Sequence, residues 1–156
     1  MAQEIERKYL LQGDSWRELC IGSVYCQGYI PTKNQVTVRV RIVGQQGYLT
    51  IKGPSVECSR LEFEYPIPVE DAQEMLNTLC EQPWIEKIRY KVEWGGLTWE
   101  IDEFDGLNKG LILAEVELND ANQEIELPPW IGEEVSHDHR YFNSYLVKHP
   151  FSQWLR

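Results

Sequence analysis

The chain has 156 residues, of which 42% are hydrophobic and 26% charged, the balance of one ordinary globular domain spanning 1–156 rather than of a disordered or two-domain chain. Its 25 acidic residues outnumber 15 basic ones, and the net charge of −10 argues against a general binder of nucleic acid or anionic membrane, which needs a positive footprint. A local basic cluster inside this acidic shell stays compatible with an anionic ligand.

Period-two alternation dominates the chain, and it begins at once over 3–11. There Glu4, Glu6 and Lys8 share one face, and Ile5, Arg7, Tyr9 and Leu11 the other. A short helix is expected over 14–20, and a second strand over 23–31. After the turn signal Pro31-Thr32-Lys33-Asn34, the segment 36–43 sets Val36, Val38, Val40 and Ile42 against Thr37, Arg39 and Arg41. Segment 47–53 opposes Leu49 and Ile51 to Thr50 and Lys52; 59–67 opposes Leu61, Phe63, Tyr65 and Ile67 to Arg60, Glu62 and Glu64. Helical spacing then takes over, with Val69, Ala72, Met75, Leu76 and Leu79 on one face and Glu70 and Asp71 in the first turn, where the helix dipole favours acids.

Segment 84–94 sets Ile88, Tyr90, Val92 and Trp94 against Lys87, Arg89, Lys91 and Glu93, and Gly95-Gly96 predicts a tight hairpin into 97–105. That strand opposes Leu97, Trp99 and Ile101 to Glu100 and Asp102; the last, 111–119, opposes Ala114, Val116 and Leu118 to Glu115 and Glu117. A final helix is expected from a cap at Ser136 or Asp138 to Lys148, before Pro150. Cys20, Cys26, Cys58 and Cys80 have no metal-site spacing and are read as reduced thiols. His137 and His139 would diverge on a helix, so no metal role is assigned to them. No leader or membrane-spanning stretch is recognised, and a cytoplasmic location is expected.

An antiparallel sheet commonly keeps one wet face, and any single strand here fits that reading. Across the strands, however, nearly every position of that face is fully charged, and the charges come as Glu-x-Glu and Arg-x-Arg pairs. Like charges two apart repel unless opposite charge lies between them. Carboxylate pairs suit hard cations such as Mg²⁺ or Mn²⁺; Arg and Lys pairs suit phosphate oxygens. Eight antiparallel strands are enough to close a barrel. The fold expected is therefore mainly β, a closed eight-stranded antiparallel barrel tunnel with a few flanking helices. With the charged face inward, a small polyanion plus cations is the occupant that makes both signs intelligible, and a triphosphate fits.

Glu4-Ile5-Glu6-Arg7-Lys8 resembles the E-x-E-x-K signature of the CYTH superfamily, the triphosphate tunnel metalloenzymes. Further matches run in order along the chain: Gln27-Gly28-Tyr29-Ile30, Val38-Arg39-Val40-Arg41, Thr50-Ile51-Lys52, Ser59–Glu64, Glu86–Tyr90, Glu100–Phe104, Ala114–Leu118, Pro129–Gly132 and Asp138–Asn143. The pattern is most similar to the short bacterial branch of inorganic tripolyphosphatases. The resemblance implies metal-dependent hydrolysis of tripolyphosphate to pyrophosphate and phosphate, with Mg²⁺ or Mn²⁺ as cofactor. It implies Glu4, Glu6, Glu115 and Glu117 as metal-side carboxylates, with Glu62, Glu64, Glu100 and Asp102 binding or orienting metal and water. It implies Lys8, Arg39, Arg41, Lys52, Lys87 and Arg89 as the phosphate cradle, joined by Arg60, and Tyr29 near the tunnel mouth.

Lys87, Glu6 and Glu64 are the candidate catalytic groups. Against these roles stand plainer ones: Glu64, Glu100 and Asp102 as neutralisers of Lys91 or Arg89, Arg60 as a rim residue, Tyr29 as a packing aromatic. Thiamine triphosphatase, nucleoside triphosphatase, class IV adenylate cyclase and a non-catalytic polyphosphate binder are the rival readings. Apolar positions outside the barrel, Trp94, Trp99 and Val116, allow a homodimer.

Overall fold

In a computed structural model, which describes residues 3–154, the alternating segments become eight strands. They are β1 (Gln3–Leu11), β2 (Ser23–Ile30), β3 (Thr37–Val43), β4 (Gln46–Lys52), β5 (Ser59–Ile67), β6 (Ile85–Trp94), β7 (Leu97–Phe104) and β8 (Ile112–Glu117). All pairings are antiparallel, in the order β5-β4-β3-β2-β6-β7-β8-β1. The sheet closes where Glu4 of β1 meets Arg60 of β5. The eight-stranded barrel is as expected. The Gly95-Gly96 hairpin has both φ values positive, 62° and 77°, as a two-residue primed turn requires.

A ninth strand, β9 (Ile131–Glu134), was not expected. β1 spends Gln3–Ile5 on β5, and its far end would otherwise present a bare edge; β9 pairs there with Tyr9 and Leu11. Four residues reading Ile-Gly-Glu-Glu carry too little alternation to announce a strand.

Because the charged face points inward, apolar packing lies mostly outside the barrel. Helix α1 (Val69–Thr78) lays Ala72 and Leu76 over Val40 and Cys80 on the outer face. Its approach is set by Gly28 of β2, where a Cβ would stand 2.8 Å from Leu76 Cδ2 and 2.9 Å from Cys80 Cβ. Gly28→Val should therefore cost about 1–3 kcal/mol, with a matching fall in melting temperature. A melting temperature unchanged from the parent would show that α1 can ride outward freely.

On the opposite side, the expected helix over 14–20 is only a 3-10 turn (Ser15–Glu18), whose Trp16 is fully buried. Trp16 and Trp130 cover the outward residues Tyr9, Trp99, Ile101 and Val116. A third cluster lies inside. Tyr29, Ile85, Phe104 and Leu113 continue the inward rows of β2, β6, β7 and β8 but are apolar, and Leu146 and Val147 pack among them. One end of the lumen is thus plugged.

The plugging element differs from the continuous C-terminal helix expected. Asp138 does cap, accepting a hydrogen bond from the Arg140 amide, but it caps a single 3-10 turn (His139–Tyr141). Phe142 is then extended (φ −75°, ψ 135°), and α2 runs only over Asn143–Lys148. The break lets Phe142 and Asn143 face the barrel while Leu146 and Val147 fill its end. Ile51, Leu61, Phe63 and Tyr65, on the outer face of β4 and β5, remain exposed.

Candidate active site

Inside the barrel a cavity of about 220 Å³ is walled by the charged rows. It continues past Arg41, Glu64, Arg89 and Glu100 into a wider mouth lined by Ser23, Tyr25 and Tyr48. At the other end Phe142, Asn143 and Ser144 stand across it.

Strand register decides which charges meet. Lys8 faces Glu115 across the β1–β8 ladder and bonds it at 2.9 Å. Lys52 reaches Glu4 at 2.9 Å and Glu62 at 3.5 Å. Arg39 reaches Glu64 at 3.2 Å, and Thr50 donates to the same carboxylate at 2.7 Å. Asp102 shares the inward face of β7 with Glu100 but is buried beneath Arg89 and Lys87 and does not line the cavity. Arg89 clasps Asp102 with two bonds of 2.7 and 2.9 Å, and Lys87 adds a third contact at 2.8 Å. Glu100 lies 3.4 Å from Arg89 and 4.0 Å from Lys91. Arg60 lines the cavity 4.0 Å from Glu4, with its guanidinium 6.0 Å from the Phe142 ring. Tyr29 is buried and accepts a 2.8 Å hydrogen bond from Gln27.

The informative groups are those left uncompensated. Of the six buried cations Lys8, Arg39, Arg41, Lys52, Lys87 and Arg89, Arg41 is the one with no carboxylate within 4.0 Å among the described residues. Its Nε donates to Gln27 at 2.9 Å, and its guanidinium lies 4.9 Å over the Tyr25 ring. Burial, with Arg39 and Arg89 nearby, pulls its pKa down to about 10, so it still carries charge at neutral pH. A buried, unpaired cation is costly unless an anion arrives. The Nε of Arg39 is likewise buried without a partner.

On the acidic side, Glu6 faces Glu117 directly across the β1–β8 ladder, and neither forms an ion pair among the described residues. Burial, then Glu115 and Glu4, raise the Glu6 carboxyl well above its usual range. Burial and Glu4 raise Glu117 as well. Like carboxylates opposed on a ladder call for positive charge between them.

That demand is the test of fit for a divalent metal. Among the described residues no three His, Cys, Asp or Glu side chains gather tightly enough to hold an ion by themselves. Mg²⁺ is usually held by one or two carboxylates, with water and substrate phosphate completing its shell. Hard oxygen donors at Glu6 and Glu117, short of positive charge and open to the cavity, with Glu115 beside them on the Lys8 ammonium, fit that habit.

Two contributors to the wall were not singled out from sequence. Gln27 is fully buried between Arg41, Tyr29 and Asn143. Its place two residues before Tyr29 on one strand face was a usable signal. Asn143 ends the matched Asp138–Asn143 segment, but its role depends on the break at Phe142.

The CYTH domain profile matches residues 2–145. The chain is 51% identical over 154 residues to an inorganic triphosphatase of Acetivibrio thermocellus, covering 99% of both chains. It is 38% identical over 148 residues to an inorganic triphosphatase of Nitrosomonas europaea, covering 92% of this chain and 96% of that one. The crystal structure of an inorganic triphosphatase, 34% identical, superposes on 92% of this chain and 96% of its own with a TM-score of 0.62.

Proposed function

The chain belongs to the CYTH domain family, and from that premise we propose that it hydrolyses inorganic tripolyphosphate to pyrophosphate and phosphate inside the barrel. Both triphosphatase relatives cover nearly its whole length, which supports one catalytic domain over 1–156. The observation that carries the reading is the separation of uncompensated charge among the described residues: Arg41 without an ion-paired carboxylate in one part of the cavity, Glu6 and Glu117 without an ion-paired cation in another. A triphosphate with a divalent metal neutralises both.

Arg39, Arg41, Lys52, Lys8 and Arg89 bind and orient the phosphate oxygens, with Arg60 on the cavity wall near Glu4 and Tyr29 packed beside the chain. Glu6, Glu115 and Glu117, with Glu4 beside them, would hold the metal, Mg²⁺ or Mn²⁺. When bound, it would neutralise charge developing on the phosphate oxygens and make water a better nucleophile. Lys87 holds the attacking water or the leaving oxygen, and Glu64 and Glu100 stand where they orient water near the wider mouth. Water adds to a terminal phosphorus, the P–O bond to the pyrophosphate breaks, and the two products leave. Asp102 serves here as the counter-charge that fixes Lys87 and Arg89, rather than as a ligand, because its oxygens are already taken.

Phosphate release should be fastest from tripolyphosphate among tripolyphosphate, ATP, thiamine triphosphate and pyrophosphate, and should stop when a chelator removes divalent metal. No metal-dependent release from any of the four would refute an enzyme. Among the described residues no helix is long and apolar enough to cross a membrane. With a net charge of −10, a cytoplasmic protein without nucleic-acid or membrane partners is the consistent setting. A homodimer would find exposed apolar surface on the strip of Ile51, Leu61, Phe63 and Tyr65 rather than at Trp99 and Val116, which are already covered within the chain.

A further inference from the structure

We propose that Asn143 is a positioning residue for Lys87, held in turn by Gln27, so that seating α2 completes the site. The functional part of this rests on the triphosphatase reading above. Asn143 opens α2, and its Oδ1 accepts from Lys87 Nζ at 2.8 Å and from Gln27 Nε2 at 3.2 Å. The chemistry of the donors leaves no choice about how these amides face. An ammonium offers only N–H, so the Asn143 oxygen must point to Lys87. A guanidinium also offers only N–H, so the Gln27 oxygen must point to Arg41, which donates to it at 2.9 Å. The Gln27 amide nitrogen is then left to donate to Tyr29 and Asn143. Arg41 thus donates to Gln27 and Gln27 to Asn143, while Lys87 donates to the same Asn143 oxygen, so two runs of hydrogen bonds converge there.

Lys87 has three ammonium hydrogens. One meets Asp102 at 2.8 Å and one meets Asn143 at 2.8 Å, while Lys87 also lines the cavity. Two fixed acceptors set the direction of the third hydrogen, which is left for the lumen. Without the Asn143 oxygen the ammonium can swing about its one contact with Asp102, and the third hydrogen loses its aim. Asn143 is held in place by Leu146 and Val147, which are buried with Ile85, Phe104 and Leu113 at the plugged end. The same contact links Lys87 to the Arg41 grip, although Asn143 and Lys87 are 56 residues apart.

The test compares Asn143→Leu, which keeps the size but removes the acceptor, with Asn143→Asp, which keeps the oxygen that both bonds use. In tripolyphosphate hydrolysis at saturating Mg²⁺, Asn143→Leu should lower kcat about 10- to 100-fold with KM within about threefold of the parent. Asn143→Asp should return kcat to within about fivefold while its added charge raises KM. Independently of activity, ¹⁵N-lysine NMR should show a slowly exchanging Lys87 ammonium signal, assigned by its loss in Lys87→Arg. It should persist in Asn143→Asp and vanish in folded Asn143→Leu. A parental kcat in Asn143→Leu, or a Lys87 signal unchanged in it, overturns the proposal. Should the parent release no phosphate, the triphosphatase reading falls, and the Lys87 signal still decides the positioning claim.

Discussion

Asp102→Ala is expected to destabilise the barrel by about 3–5 kcal/mol, the usual consequence of removing one partner from a buried ion pair. Asp102 is 1% exposed, takes both bonds of the Arg89 fork and touches Lys87. These cations hold its carboxyl well below the usual carboxylate range against the opposing effect of burial. Its removal leaves Lys87, Arg89 and the already unpaired Arg41 together in one buried wall. For a chain of this size each kcal/mol moves the melting temperature by about 2–4 °C, so a fall of roughly 10 °C is expected. Tripolyphosphate should recover part of that loss, because an anion binding only the folded state stabilises it. A melting temperature within about 2 °C of the parent would mean that water, not Asp102, compensates those cations.

Lys87→Ala and Arg41→Ala should fail in different kinetic constants. Arg41 has no ion-pair partner among the described residues, so its attraction is available to the bound substrate from the start. Losing a charge-assisted hydrogen bond worth about 1.5–3 kcal/mol should raise KM about 10- to 100-fold with a smaller change in kcat. Lys87 is already held by Asp102 and Asn143, and burial pushes its pKa well below the ordinary lysine value. An oriented donor of this kind acts on charge that develops during reaction. Its loss should lower kcat by about 10²–10³-fold with little change in KM. Parental steady-state rates in both variants would show that the tripolyphosphate is gripped elsewhere. Equal changes in KM alone would strip Lys87 of any part in the chemistry.

Much of the candidate site could be read from the chain because strand alternation is a local property. Glu4, Glu6 and Lys8 must share a face once 3–11 is a strand, and so must Arg39 with Arg41 and Glu115 with Glu117. The same holds for the Gly95-Gly96 hairpin, whose positive φ values glycine meets without strain. What alternation cannot supply is partnership across strands. That Asp102 belongs to Lys87 and Arg89, and that Arg41 meets no carboxylate among the described residues, follows from the register β2–β6–β7 and β2–β3. Registers are set by turn geometry and the closure of the whole barrel, which no single segment records.

The chain by itself determined the facing rows of charge, the eight strands that bear them, and α1 with its apolar stripe. Tertiary structure alone decided that the rows give way to Ile85, Phe104 and Leu113 at one end, that β9 covers the free end of β1, and that the C-terminal helix breaks at Phe142. The physical reason is the same in each case. These features satisfy surfaces that exist only after the barrel has closed: a bare strand edge, an open apolar end, and an ammonium with one acceptor too few. The segment 136–148 is mostly weak helix formers, whose preference is worth only tenths of a kcal/mol per residue, less than sealing the lumen with Leu146 and Val147 returns.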